Sequence, residues 1–134
     1  MRIVLDTNCL LRTVFPKSDY HCLLSSLQQG RYILCVSTEI LLEYEELLLR
    51  FYNESLAESV LGFIIHSPYT ERISTYFDWQ IITADPDDNK FVNCALNGGA
   101  DYIVSNDKHF EILKSIDFPS IKVIDIHRFK EILS

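Results

Sequence analysis

Apolar runs and polar breaks alternate along the chain in a regular order. Ile3-Val4-Leu5 is a short buried-strand run, closed by Asp6-Thr7-Asn8. Cys9 to Phe15 predicts a short helix stopped at Pro16, and Ser18 or Asp19 can cap a second helix that runs to about Gln29 and closes at Gly30. Tyr32 to Val36 predicts a second strand. Ser37 reads as the cap of a helix from Thr38 to about Tyr52, and a further helix from Glu54 to His66 ends before Pro68. Thr70 to Phe77 predicts one more short helix, and Trp79 to Thr83 a third strand. After the loop Ala84 to Asp88, Asp87 or Asp88 caps a helix from Asn89 to Asn97, closed by Gly98-Gly99. Asp101 to Ser105 predicts a fourth strand, Asp107 to Leu113 a short helix, Lys122 to Ile126 a fifth strand and His127 to Leu133 a final helix.

Strands alternating with helices predict an α/β fold, a three-layer α/β/α sandwich around a central parallel sheet of about five strands. The near-continuous apolar strands fit burial on both faces. The chain has 134 residues, with no repeat, linker or low-complexity tract, so residues 1–134 are expected to form one domain.

Composition adds limits. Apolar residues make up 48% and charged residues 23%, which excludes a disordered chain. The net charge of −7 argues against nucleic-acid binding through a broad basic face, although bound divalent cations would reverse the sign locally. Cys9, Cys22, Cys35 and Cys94 form no C-x-x-C pair and no zinc-finger spacing, so they read as reduced, mostly buried small hydrophobes. The opening apolar run is too short for a secretory signal core, and no stretch approaches the roughly 20 apolar residues that span a bilayer. A cytoplasmic protein with no membrane contact is the expectation.

Acidic residues then supply the candidate chemistry. Asp6 ends the first strand run, Asp88 opens the helix after the third, and Asp107 stands just past the fourth. Each alone can be a helix cap. Jointly they stand at the carboxyl ends of parallel strands, where α/β sheets bind ligands. Carboxylates gathered there repel one another unless they take up cations or protons. In the helix after the second strand, Ile40, Leu41, Tyr44, Leu47, Leu48 and Phe51 make the apolar stripe. Glu43 lies at its border, Glu45 nearer its centre and Glu46 opposite, so periodicity does not choose between Glu43 and Glu45.

Four motifs taken together resemble the PIN-domain nucleases: VLDTN at Val4–Asn8, S-x-E-x-x-x-E-Y from Ser37 to Tyr44, DPDDNKFVNCAL from Asp85 to Leu96, and ADYIVSNDKHF from Ala100 to Phe110. They are most similar to the subgroup regarded as toxin components of toxin–antitoxin pairs. The resemblance implies a PIN-like, 5′-nuclease-related fold and Mg²⁺- or Mn²⁺-dependent hydrolysis of RNA phosphodiester bonds. It implies metal-site roles for Asp6, Glu43, Asp88 and Asp107, with Asp85 as an auxiliary carboxylate and Asn8 and Ser105 as polar lining. It also implies a small antitoxin partner and pairing as a homodimer. Asn106 departs from the pattern, since small or basic residues are frequent there. Arg12, Lys17, Lys90 and Lys108 are candidate phosphate contacts or plain surface cations. His109 is a candidate proton carrier. Trp79, Tyr76 and Phe77 read as core rather than as base-stacking platforms.

Three other classes compete. A phosphatase of the haloacid dehalogenase type needs D-x-D after its first strand, and this chain has Asp6-Thr7-Asn8. A receiver-like signalling module needs a Lys after the fifth strand, whereas Lys122 stands before it. A PIN-like domain that has lost cleavage and serves as an interaction module would not need all four acids.

Overall fold

The computed structural model describes residues 1–76, 78–82, 86–116 and 120–134. Its centre is a five-stranded sheet made of β1 (Arg2–Leu5), β2 (Ile33–Val36), β3 (Thr70–Arg72), β4 (Tyr102–Val104) and β5 (Lys122–Ile124). The strand order is β3-β2-β1-β4-β5, and every neighbouring pair is parallel. Ile3, Val4 and Leu5 are all buried although successive strand residues face opposite sides, so the sheet is covered on both faces, as the strand pattern predicts.

Helices α1 (Thr7–Thr13), α2 (Cys22–Gln28), α3 (Thr38–Phe51), α4 (Glu54–His66), α5 (Asn89–Gly98) and α6 (Ile126–Leu133) connect the strands. The starts of α3, α4 and α6 are chemically marked. The Ser37 hydroxyl accepts from the Ile40 amide at 3.3 Å, Asn53 Oδ1 from the Leu56 amide at 2.8 Å, and Asp125 Oδ1 from the Arg128 amide at 2.7 Å. Gly99 closes α5 at φ 63°, a left-handed conformation that side-chain-bearing residues adopt at a cost. Among the described residues no helix is long and apolar enough to cross a membrane.

Two predicted elements are corrected. Thr70–Arg72 is a strand, where a helix from Thr70 to Phe77 is expected; Phe77 lies outside the described residues. The outer edge of β2 supplies the reason: Leu34 N–H donates to Tyr69 O at 2.9 Å and Ile73 N–H to Val36 O at 2.7 Å, so the segment satisfies backbone groups that would otherwise be left unpaired. The third strand expected at Trp79–Thr83 does not form over residues 79–82, and Thr83 lies outside the described residues. Gln80 sits at φ 48°, which no strand tolerates.

Side chains of α5 serve that segment's backbone instead. Asn93 Oδ1 accepts from the Trp79 amide at 2.9 Å and Asn97 Oδ1 from the Tyr76 amide at 3.2 Å, while Asn89 pairs with both the amide and the carbonyl of Ile82 at 2.8 and 2.7 Å. Three asparagines spaced four apart on one helix face thus stand in for a neighbouring strand. The aromatic residues there are not core: Tyr76 is 83% and Trp79 37% exposed. Cys9, Cys35 and Cys94 are buried and Cys22 is exposed, all four with free thiols. In α3, Ile40, Leu41, Tyr44 and Leu48 are buried, but Phe51 is exposed and Leu47 only half-buried.

Candidate active site

The sheet order reverses direction at β1, which pairs with β2 on one side and β4 on the other. Chains leaving the carboxyl ends of β1 and β4 diverge there and open a crevice. Asp6 follows β1 directly, and its amide donates to Val104 O at 3.0 Å, which ties it to the end of β4. Ser105 and Asp107 follow β4, and Asp88 opens α5.

Capping accounts for little of this acid. Asp6 stands at the N-terminus of α1 and Asp88 at that of α5, and neither side chain makes a capping hydrogen bond. Asp107 does cap, accepting from the His109 amide at 2.9 Å at the head of the 3₁₀ helix Lys108–Ser115. So a helix cap explains neither Asp6 nor Asp88.

Asp6 is 5% exposed, an unusual depth for a carboxylate. The Ser105 hydroxyl donates to its Oδ2 at 2.7 Å and accepts from the Asp107 amide at 3.0 Å, fixing Asp6 relative to Asp107. Burial pushes the Asp6 carboxyl up to about 6; the charges of Asp88, Asp107 and Glu43 push the same way, against the Ser105 hydrogen bond. Asp6 is therefore within electrostatic reach of the other three acids. His109 Nδ1 lies 3.0 Å from Asp88 Oδ2 and 3.4 Å from Asp107 Oδ1. Asp88, Asp107 and His109 each present an atom able to bind a metal, all three within 4.8 Å of one another.

Glu43 and Glu45, which the helical wheel of α3 leaves unseparated, differ in their surroundings. Glu45 is exposed. Glu43 is half-buried where α1 packs on α3, with Oε2 accepting from the Thr7 hydroxyl and Oε1 paired to Lys90 Nζ at 2.8 Å. Lys90 is thus neither a free surface cation nor an open phosphate contact. Thr7 was invisible in the sequence as a site residue, because a Thr after a strand-ending Asp reads as turn or cap. Asn8 is exposed and Asn106 gives Oδ1 to the Ile126 amide at 3.1 Å, anchoring the β4 loop to α6. Asp85 lies outside the described residues.

A cleft of about 430 Å³ opens over Asp6 and Asp107, walled by Asn8, Cys9, Arg12 and Asn106. The Cys9 thiol in that wall is pushed up to about 12 by burial, so it is not a nucleophile. Asn106 and Asp107 also border a second cleft of about 350 Å³ that carries Lys108, Lys114 and Arg128. A larger cleft of about 760 Å³ has Lys90 in its wall together with Glu39, Asp78 and Asp87, and lacks Asp6. Two carboxylates and an imidazole, from Asp88, Asp107 and His109, make an oxygen-rich donor set that fits a divalent cation such as Mg²⁺ or Mn²⁺; Asp6 and Glu43 stand outside that group, and Asp6 is coupled to it by charge.

The chain's relatives agree with this fold. The VapBC2 structure from Rickettsia felis, bound to a DNA fragment from their promoter, superposes with a TM-score of 0.64 at 18% identity, over 93% of this chain and 98% of that one. The PIN domain endonuclease Utp24 superposes with a TM-score of 0.56 at 18% identity, over 92% of this chain and 84% of that one. No curated protein matches the sequence. The family model for the PIN domain matches residues 2–109, a span that takes in Asp6, Glu43, Asp88 and Asp107, and the chain belongs to the PIN-domain family.

Proposed function

We propose that the protein is a divalent-metal-dependent endoribonuclease that hydrolyses RNA phosphodiester bonds. The observation that carries this reading is the buried Asp6 carboxyl, lifted to about 6 by burial and by three further carboxylates, of which Asp88 is spent on no cap. An arrangement that costs the fold stability is retained where it serves chemistry. Asp6, Asp88 and Asp107 hold the metal, with Glu43 as the fourth acid of the set and Asp85 as an auxiliary. A bound divalent ion supplies Lewis acidity and an activated water, with no need for a side-chain nucleophile. Ser105 keeps the Asp6 oxygen and the Asp107 backbone in fixed relation. His109, lying between Asp88 and Asp107, orients their oxygens. Arg12 in one cleft and Lys108, Lys114 and Arg128 in the next, the latter three beside Glu111 and Asp125, are the cations available to phosphates on either side of a scissile bond.

The motif resemblance to toxin PIN domains, with the fold likeness to VapBC2, supports a toxin of a type II toxin–antitoxin pair, acting in the cytoplasm as a homodimer of single-domain chains and held by a small antitoxin. The test is RNA cleavage by purified protein loaded with Mn²⁺ or Mg²⁺. Asp107→Asn is expected to lose several kcal/mol of transition-state stabilisation, on the order of a thousandfold in rate. Cleavage by the variant at the wild-type rate would remove the reading.

A further inference from the structure

Both oxygens of Glu43 already have partners. Oε1 lies 2.8 Å from the Lys90 ammonium and Oε2 accepts from the Thr7 hydroxyl. Lys90 is itself unusual: its side chain is only 12% exposed, its ammonium donates to Asp87 O at 2.9 Å, and it lies 5.4 Å from the centre of the Phe91 ring. A lysine placed for solubility keeps its head group in water. This one exchanges much of its hydration for a carboxylate, a carbonyl and an aromatic face. It also stands in the first turn of α5, where the helix dipole disfavours a cation. The pair with Glu43 has to offset that cost as well.

Charge counting gives the pair a meaning. Asp6, Glu43, Asp88 and Asp107, when ionised, carry four negative charges, and one divalent ion leaves two of them. A second divalent ion would need open carboxylate oxygens a few ångströms away from the first. Glu43, the acid placed to provide them, is occupied by an ammonium and a hydroxyl. On the footing of the metal-nuclease reading above, we propose that Lys90 is the positioning residue and resident counter-cation of Glu43, so that the centre takes a single divalent ion, held by Asp6, Asp88 and Asp107. Glu43 then acts on the field around Asp6 and does not ligate a second ion.

The experiment counts Mn²⁺ bound per folded chain, by calorimetric titration and by electron paramagnetic resonance of the free ion. Wild type is expected to bind one. Lys90→Met, similar in length and uncharged, bares Glu43 and is expected to bind a second; Lys90→Arg stays at one, and Lys90→Met with Glu43→Gln returns to one. A lysine needed only for folding would not raise the count. Two ions in wild type overturn the proposal, as does a folded Lys90→Met that still binds one with unchanged affinity. Should Lys90→Met fail to fold, Glu43→Gln decides: the single ion loses less than about tenfold in affinity if the proposal holds, since only the field changes, and a greater loss makes Glu43 a ligand and overturns it. Wild type that binds no Mn²⁺ and cleaves no RNA removes the nuclease reading itself, an outcome distinct from two bound ions in an active enzyme.

Discussion

Replacing Asp6 by Asn should stabilise the metal-free protein while removing its response to metal. The folded chain holds the Asp6 carboxyl at about 6 instead of the 3.8 of an unperturbed Asp, chiefly through burial. A folded-state value raised above the unfolded one means that the folded protein binds the proton more tightly. The associated stability is fully present below about pH 4 and is lost as pH rises through about 6. Above that range the ionised carboxylate costs the fold roughly 3 kcal/mol. Asn carries no charge to bury, and its amide oxygen still accepts from the Ser105 hydroxyl that now donates to Asp6 Oδ2.

In chelator at pH 7.5, Asp6→Asn should therefore melt higher than wild type, by on the order of 5–10 °C for a chain of this size. Near pH 4.5 the difference should shrink to about a third. The comparison between the two proteins cancels the titrating groups that do not couple to Asp6. Adding Mn²⁺ should raise the melting temperature of wild type and leave Asp6→Asn unmoved. Differential scanning fluorimetry over pH 4.5–8, with and without Mn²⁺, reads all of this. A variant that melts lower than wild type in chelator at pH 7.5, or a gap that does not narrow in acid, would refute the electrostatic account of the centre.

Three further changes probe the frame around it. Ser105→Ala removes the hydroxyl joining Asp6 to the Asp107 backbone, and Mn²⁺ titration should show about tenfold weaker binding, restored by Ser105→Thr. Tyr44→Phe deletes a buried hydroxyl that donates to Leu5 O just ahead of Asp6; urea unfolding should show a loss of about 1–3 kcal/mol. Asn93→Ala releases the Trp79 amide and Asp78 Oδ1, so hydrogen exchange at Trp79 should accelerate about tenfold while amides in β1 keep their protection.

The sheet's inner strands were legible because burial on both faces leaves a mark in composition. Ile3-Val4-Leu5, Ile33 to Val36 and Tyr102 to Val104 are short apolar runs, and no other element of this length reads that way. Of the two edge strands β5 was legible from its apolar run, whereas β3 was not, for the same reason in reverse. Thr70, Glu71 and Arg72 are largely solvent-facing, so nothing in their polarity announces a strand; what makes them one is the open edge of β2, a fact about another part of the chain. The run Trp79 to Ile82 was misread because its aromatic and β-branched residues carry strand propensity. Its backbone partners are Asn93 and Asn89 side chains, and hydrogen bonds of that kind leave no periodicity in the segment they serve.

The acids of the centre divide along similar lines. Asp6, Asp88 and Asp107 were legible because each stands next to a strand or helix terminus, and a parallel sheet brings those termini to one edge whatever the side-chain details. Glu43 lies six residues inside a helix, where direction depends on what packs against that helix, and the wheel could not separate it from Glu45. The structure separates them through α1: Thr7, one residue after Asp6, reaches Glu43, while Glu45 meets solvent. The same strand end that places Asp6 in the crevice therefore also places the hydroxyl that orients Glu43. Asp88 and Lys90 repeat the device at the head of α5, with one side chain turned to His109 and the other to Glu43. Two pairs of near neighbours, Asp6 with Thr7 and Asp88 with Lys90, each supply an acid and a group that fixes Glu43, so the centre is a product of two chain turns. A shift of either turn would displace both of its members at once.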